Sequence, residues 1–172
     1  MRMVRKLGTT TLLTAAVFVA AASFAWADMG SGSGQTPLSA ALGFTVHDDG
    51  SGNLNYVGDS QGAFAGFHGT CDSFATTNFK VSHQGFPILK VTSSDCTDQD
   101  GVQLYLWAQF TDKGEPGTKD RLCIQWSYTP ISGVNDPTVY IKDNGIIQNG
   151  NIQIHDNPDE PGHMSGLMIG VE

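Results

Sequence analysis

The chain predicts an all-β fold, either a single antiparallel β-sandwich of jelly-roll type or a partly closed barrel. Three observations carry that reading. Short runs rich in alternating or β-branched residues recur from Ala40 onward, turn-forming residues separate them, and no stretch keeps a helical period. Roughly eight or nine strands with turn signals about every ten residues suit a sandwich or barrel. Missing helices exclude a βαβ arrangement.

Taken in order, residues 1–27 read as an export signal. Arg2, Arg5 and Lys6 form its positive start, Leu12 to Phe24 its apolar stretch, and Ala25-Trp26-Ala27 its small-residue cleavage site, so the mature chain starts at Asp28. That predicts a secreted, periplasmic or cell-surface protein, with no membrane insertion after signal cleavage. Residues 28–39 are Gly/Ser-rich (Met29-Gly30-Ser31-Gly32-Ser33-Gly34) and read as a flexible leader. Residues 40–155 form the β-domain, and 156–172 a C-terminal tail or last strand.

Within the domain, Ala41–Val46 and Leu54–Val57 are strands around a turn at 47–53. Ala63–Gly69 suggests a glycine-containing strand or bulge, Phe79–Ser82 a short strand, and Pro87–Ser93 an apolar one. Val102–Phe110 has the clearest period of two: Val102, Leu104, Leu106, Ala108 and Phe110 share one face, Gln103, Tyr105, Trp107 and Gln109 the other. Leu122, Ile124, Trp126 and Tyr128 then share a face, opposite Arg121, Cys123, Gln125 and Ser127. Thr138–Lys142 and Ile146–Ile154 close the pattern, with Asn144-Gly145 and Asn149-Gly150 as turn dipeptides.

Removing the signal takes away three of nine basic residues and none of seventeen acidic ones, leaving 145 residues with a formal charge of −11. That surface repels phosphate backbones and anionic lipids, so nucleic acid is a poor partner. Cys71, Cys96 and Cys123 meet an oxidising compartment, and one disulfide plus one thiol is the simplest count. If Phe110 faces Leu122 across a hairpin, Cys123 lies opposite Gln109. A hairpin at 97–101 puts Cys96 at the other end of the same ladder, so those two are too far apart to bond. Cys71 pairs with Cys96, or alternatively with Cys123.

The candidate chemistry is sparse. Asp112, Glu115 and Asp120 set three carboxylates on a Gly/Pro-rich turn, a pattern that can supply oxygen ligands to calcium, the one cofactor the chain suggests. The competing reading is a hairpin connection whose acids are solvated or cap backbone amides. Asp48, Asp49, Asp98 and Asp100 make a weaker case. His47, His68, His83, His155 and His163 follow no ligand spacing, and no nucleophile motif is present. Tyr105 and Trp107, if exposed, would form an aromatic platform for a sugar ring or a surface protein.

The turn Asp112-Lys113-Gly114-Glu115-Pro116-Gly117-Thr118-Lys119-Asp120 resembles the D-x-G-E-P-G-x-x-D signature of a family of secreted bacterial all-β domains of unassigned function. Gly145-Ile146-Ile147-Gln148-Asn149-Gly150-Asn151-Ile152-Gln153-Ile154-His155 is similar to that family's closing G-N-I-Q-[IV]-H strand, and Gly52-Asn53-Leu54-Asn55-Tyr56 to its G-x-[IL]-x-Y strand. The resemblance spans about Gly52 to His155. The three cysteines and the long Ser127–Thr138 loop depart from the pattern. The resemblance implies an all-β module without enzymatic activity. The expectation is thus an exported, non-catalytic module with a structural or binding role. Its alternatives are a carbohydrate- or calcium-linked adhesion module and a small hydrolase using a carboxylate pair.

Overall fold

A computed structural model describes residues 28–61 and 64–155. The fold is all-β, with no helix among the described residues. Ten strands follow one another: β1 (Met29–Gln35), β2 (Ala41–His47), β3 (Ser51–Val57), β4 (His68–Ser73), β5 (Thr76–Val81), β6 (Pro87–Asp98), β7 (Gln103–Thr111), β8 (Arg121–Ser127), β9 (Ile141–Ile146) and β10 (Gln148–His155). They form one antiparallel sheet in the order β10-β1-β2-β3-β4-β6-β7-β8-β9, with β5 also pairing β6. Of the two expected architectures, the partly closed barrel is the one observed. Its two edge strands, β9 and β10, are joined by Ile147 alone.

Alternation fills the interior. On β7, Leu104, Leu106, Ala108 and Phe110 are buried, and the opposite face is half-covered, as the period of two requires. Phe110 stacks on Phe44 of β2 at 3.9 Å between ring centroids. Tyr56, Trp126, Ile124, Leu54 and Ile152 complete a single core. Each such side chain contributes about 1.5–3 kcal/mol by leaving water. The twelve-residue β6 serves two partners: Pro87–Thr92 pairs β5 and Cys96–Asp98 pairs β4, with an irregularity between Ser93 and Cys96 where it bends.

Four expectations are corrected. Residues 29–35 are not a flexible leader but strand β1, paired on both sides, with β2 and with β10. The Gly-x-Gly-x-Gly spacing explains it: Gly30 and Gly32 face the interior where Leu89 and Phe44 already sit, and a Cβ on Gly32 would stand 2.7 Å from Phe44 Cε1. The strand is built of glycine because Leu89 from across the barrel and Phe44 from the neighbouring strand fill its space. Asn144-Gly145 lies inside β9 and makes no turn.

Asn149-Gly150 likewise makes no hairpin. Asn149 takes a positive φ of 51°, and residues 149 and 150 together oppose Gly34, which is a β-bulge. Phe64–Phe67 forms a turn, closed by the Phe67 amide donating to the Phe64 carbonyl at 3.0 Å, and the strand starts at His68. Its phenyl rings pack as one group against the core rather than alternating across a sheet. The signal segment, His163 and the tail at 156–172 lie outside the described residues.

Candidate functional site

The acidic turn packs against β10. Because β10 is an edge strand, the amides of Ile152 and Ile154 point away from β1 with no ladder partner. Asp120 Oδ2 accepts from the Ile152 amide at 2.8 Å, and Asp112 Oδ2 from the Ile154 amide at 3.1 Å. Glu115 Oε1 accepts from Asn151 Nδ2 at 2.7 Å and Gln153 Nε2 at 3.0 Å. Inside the turn, Asp120 Oδ1 holds the Lys113 amide at 2.8 Å and Asp112 Oδ1 the Gly114 amide at 2.7 Å. The Ile147 amide donates to the Asp120 carbonyl at 3.0 Å.

Asp112 and Asp120 therefore give the outer amides of β10 the acceptors that a β9–β10 ladder would otherwise supply, and Glu115 holds two β10 side chains. Asp120 is fully buried, and burial pushes its carboxyl above the ordinary range, against the pull of the Lys113 and Ile152 amides. Glu115 is held below that range by Gln153 and Asn151. Among the described residues, no three His, Cys, Asp or Glu side chains are grouped so as to hold a metal ion. The weaker acidic turns are also occupied: Asp98 bonds the Asp100 and Val102 amides and the Tyr128 hydroxyl, and Asp49 the Ser51 amide.

Cys71 and Cys96 are register partners on β4 and β6 and form a disulfide; Cys123 carries a thiol. Cys123 lies opposite Gln109, as the hairpin register predicts. Of the histidines, His68 Nε2 meets Asn55 Oδ1 at 3.1 Å, and His47 and His155 both pair with Met29 at one barrel end.

Tyr105 and Trp107 are half-buried on the outer face of β7, Trp107 between Thr92 of β6 and Gln125 of β8. Gln125 and Ser127, expected on a polar face, are buried because the loop after β8 folds back over them. Gln125 Nε2 donates to the Val134 carbonyl at 2.8 Å, and Ser127 Oγ to that of Thr138 at 3.1 Å. Four bonds to Asp136, from the amides and hydroxyls of Ser132 and Thr138, brace this loop and hold the Asp136 carboxyl well below its usual range.

Two features escape a reading of the sequence. The first is an aromatic chain running from the core to one barrel end: Trp126 and Tyr56 touch Phe67, Phe67 touches Tyr140, and Tyr140 touches Tyr128 and Phe64. Tyr140 is 57% exposed. The second is the outer face of β5–β9. Across the strands run the rows Lys80–Ile88–Thr111–Arg121–Ile146, Asn78–Lys90–Gln109–Cys123–Asn144 and Thr76–Thr92–Trp107–Gln125–Lys142. None of these fifteen positions is acidic. A concavity of about 340 Å³ opens on this face, lined in part by Gln109, Arg121, Cys123, Asn144 and Lys113. The strand periodicity predicts each side of this face, but the rows depend on long-range register that periodicity does not specify.

No helix among the described residues is long and apolar enough to cross a membrane. Comparison with protein-family models, curated proteins and solved structures finds no match for this chain.

Proposed function

We propose that this chain is an exported, non-catalytic module that binds a glycan outside the cell or at its envelope. The observation that carries the reading is the outer face of β5–β9. It offers amides and hydroxyls around a concavity lined in part by Gln109, Thr111, Lys113, Arg121 and Asn144, with Tyr105 and Trp107 half-buried on the same outer face of β7. Sugars present that chemistry in reverse, as ring faces that stack on aromatics and hydroxyls that exchange hydrogen bonds with amides. Asp112 and Asp120, two of the seventeen acids, are engaged with the amides of β10. A Cys71–Cys96 bond supports an oxidising compartment, as export requires.

Affinity electrophoresis of the mature chain through gels containing neutral and acidic polysaccharides, followed by a reducing-end assay, tests this. Retardation in at least one gel without new reducing ends is expected. Reducing ends that disappear in a carboxylate variant would establish a hydrolase instead, and no retardation in any gel would remove the binding role.

A further inference from the structure

The same face sorts charge as well as shape. Downstream of the export signal the chain has only six basic residues, Lys80, Lys90, Lys113, Lys119, Arg121 and Lys142. Four of them point outward from β5, β6, β8 and β9, and a fifth, Lys113, lines the concavity beside Arg121. Within residues 76–81, 87–92, 107–111, 121–125 and 142–146 the one carboxylate, Asp143, is turned inward, where it accepts from the Tyr56 hydroxyl at 3.0 Å and the Leu38 amide at 3.3 Å. With a formal charge of −11 after signal removal, the protein thus keeps these rows free of acids and gathers five of its six basic residues on or beside them, while Asp95 stands exposed further along β6.

Resting on the glycan reading, we infer that this face recognises an acidic glycan, a chain of sugars bearing carboxylate or sulfate groups. Arg121 and Lys113 meet the anion in the concavity, while Gln109 and Asn144 beside Cys123 meet hydroxyls. Arginine's planar fork suits an oxyanion bidentately. Neighbouring strands lie about 4.8 Å apart, so Lys80 and Arg121, the two cations of one row, stand about 14 Å apart with Ile88 and Thr111 between them, and Lys90 and Lys142 are the single cations of the other two rows, a spacing that suits separate anions along an extended oligosaccharide. Nucleic acid fits less well, because a long polyanion reaches past this face to the acidic remainder of the molecule, which repels it.

Mature full-length chain is titrated, by calorimetry and by NMR of the Gln109 and Asn144 side-chain amides, with hexagalacturonate, its fully methyl-esterified neutral form, a sulfated hexasaccharide and inorganic sulfate. The expected result is saturable binding of one anionic oligosaccharide, at least ten-fold weaker in K113Q/R121Q and in high salt, with the neutral form and sulfate ion inert. The carboxylated and sulfated probes identify which acid is read. Unchanged circular dichroism and Tm show that the variant is folded. Equal binding of the esterified form would overturn the charge inference and leave the glycan reading standing, as would failure of both anionic probes alongside retardation in a neutral gel. Shifts with sulfate alone would reduce the site to a simple ion site and overturn it too.

Discussion

Asp120 carries one of the three carboxylates of the acidic turn. Its two oxygens face two backbone amides, Lys113 on its own turn and Ile152 on β10, with no solvent exposure. In Asp120→Asn, one oxygen becomes an NH₂ group set against an amide donor. A buried donor left unsatisfied costs about 1–3 kcal/mol. Urea unfolding of that variant should show a loss of this size with an unchanged slope.

Two carboxyls act in opposite senses as pH changes. Asp136 is held below its ordinary value by donors from Ser132 and Thr138. Its bracing of the loop after β8 is therefore complete above about pH 4, the unfolded carboxylate range, and is lost as pH falls below it. The folded state instead holds the Asp120 proton to a higher pH than the unfolded chain does, so ionising Asp120 costs stability as pH rises through that interval. NMR titration should give Ser132 and Thr138 amide midpoints well below those of an exposed aspartate. An ordinary midpoint there would refute the bracing role of Asp136.

At the scale of elements, β1 decides whether the barrel forms, because it is the only link between β10 and β2. Gly32→Val would push a branched side chain into the Phe44 ring and towards the Asn151 carbonyl. Overpacking of this kind costs about 1–3 kcal/mol, and hydrogen exchange should show amides of Gln148–His155 losing protection first. The β4–β6 disulfide closes a separation of 25 residues. The double variant Cys71→Ala/Cys96→Ala should lose about 3–4 kcal/mol on a chain-entropy account, read from its urea midpoint.

These elements also mark what the sequence makes legible. β7 and the β7–β8 register follow from local alternation, since each apolar residue there chooses its own face. β1 was hidden because its interior residues are defined by absence: Leu89 and Phe44 supply the bulk from other strands, and a glycine pattern read locally means flexibility. The Asn-Gly dipeptides misled for a related reason. At Asn149-Gly150 a readiness for positive φ serves a hairpin or a bulge equally well, and the pairing of β1 with β10 selects the bulge, while Asn144-Gly145 stays in continuous register with β8. The acidic turn was legible as a turn, but its partner strand lies more than thirty residues away.

For the whole molecule, the two segments that resemble family signatures form one contact. The D-x-G-E-P-G-x-x-D turn supplies acceptors, and the G-N-I-Q-[IV]-H strand supplies the amides they accept from. If the turn serves closure and not cation binding, millimolar calcium should leave Tm unchanged, because a ligand stabilises only where it binds the native state. A calcium-dependent rise abolished by Glu115→Gln would reverse that assignment.

The pairing of β1 with β10 sets Met29 beside His155. A chain crossing a membrane N-terminus first would hold its opening strand outside, half-paired, until its closing strand had followed. A fragment that stops before β10 lacks the partner for that edge. If the chain is exported in this way, completion of the barrel waits for the passage of β10 and rests on contacts between distant positions that are slow to find one another.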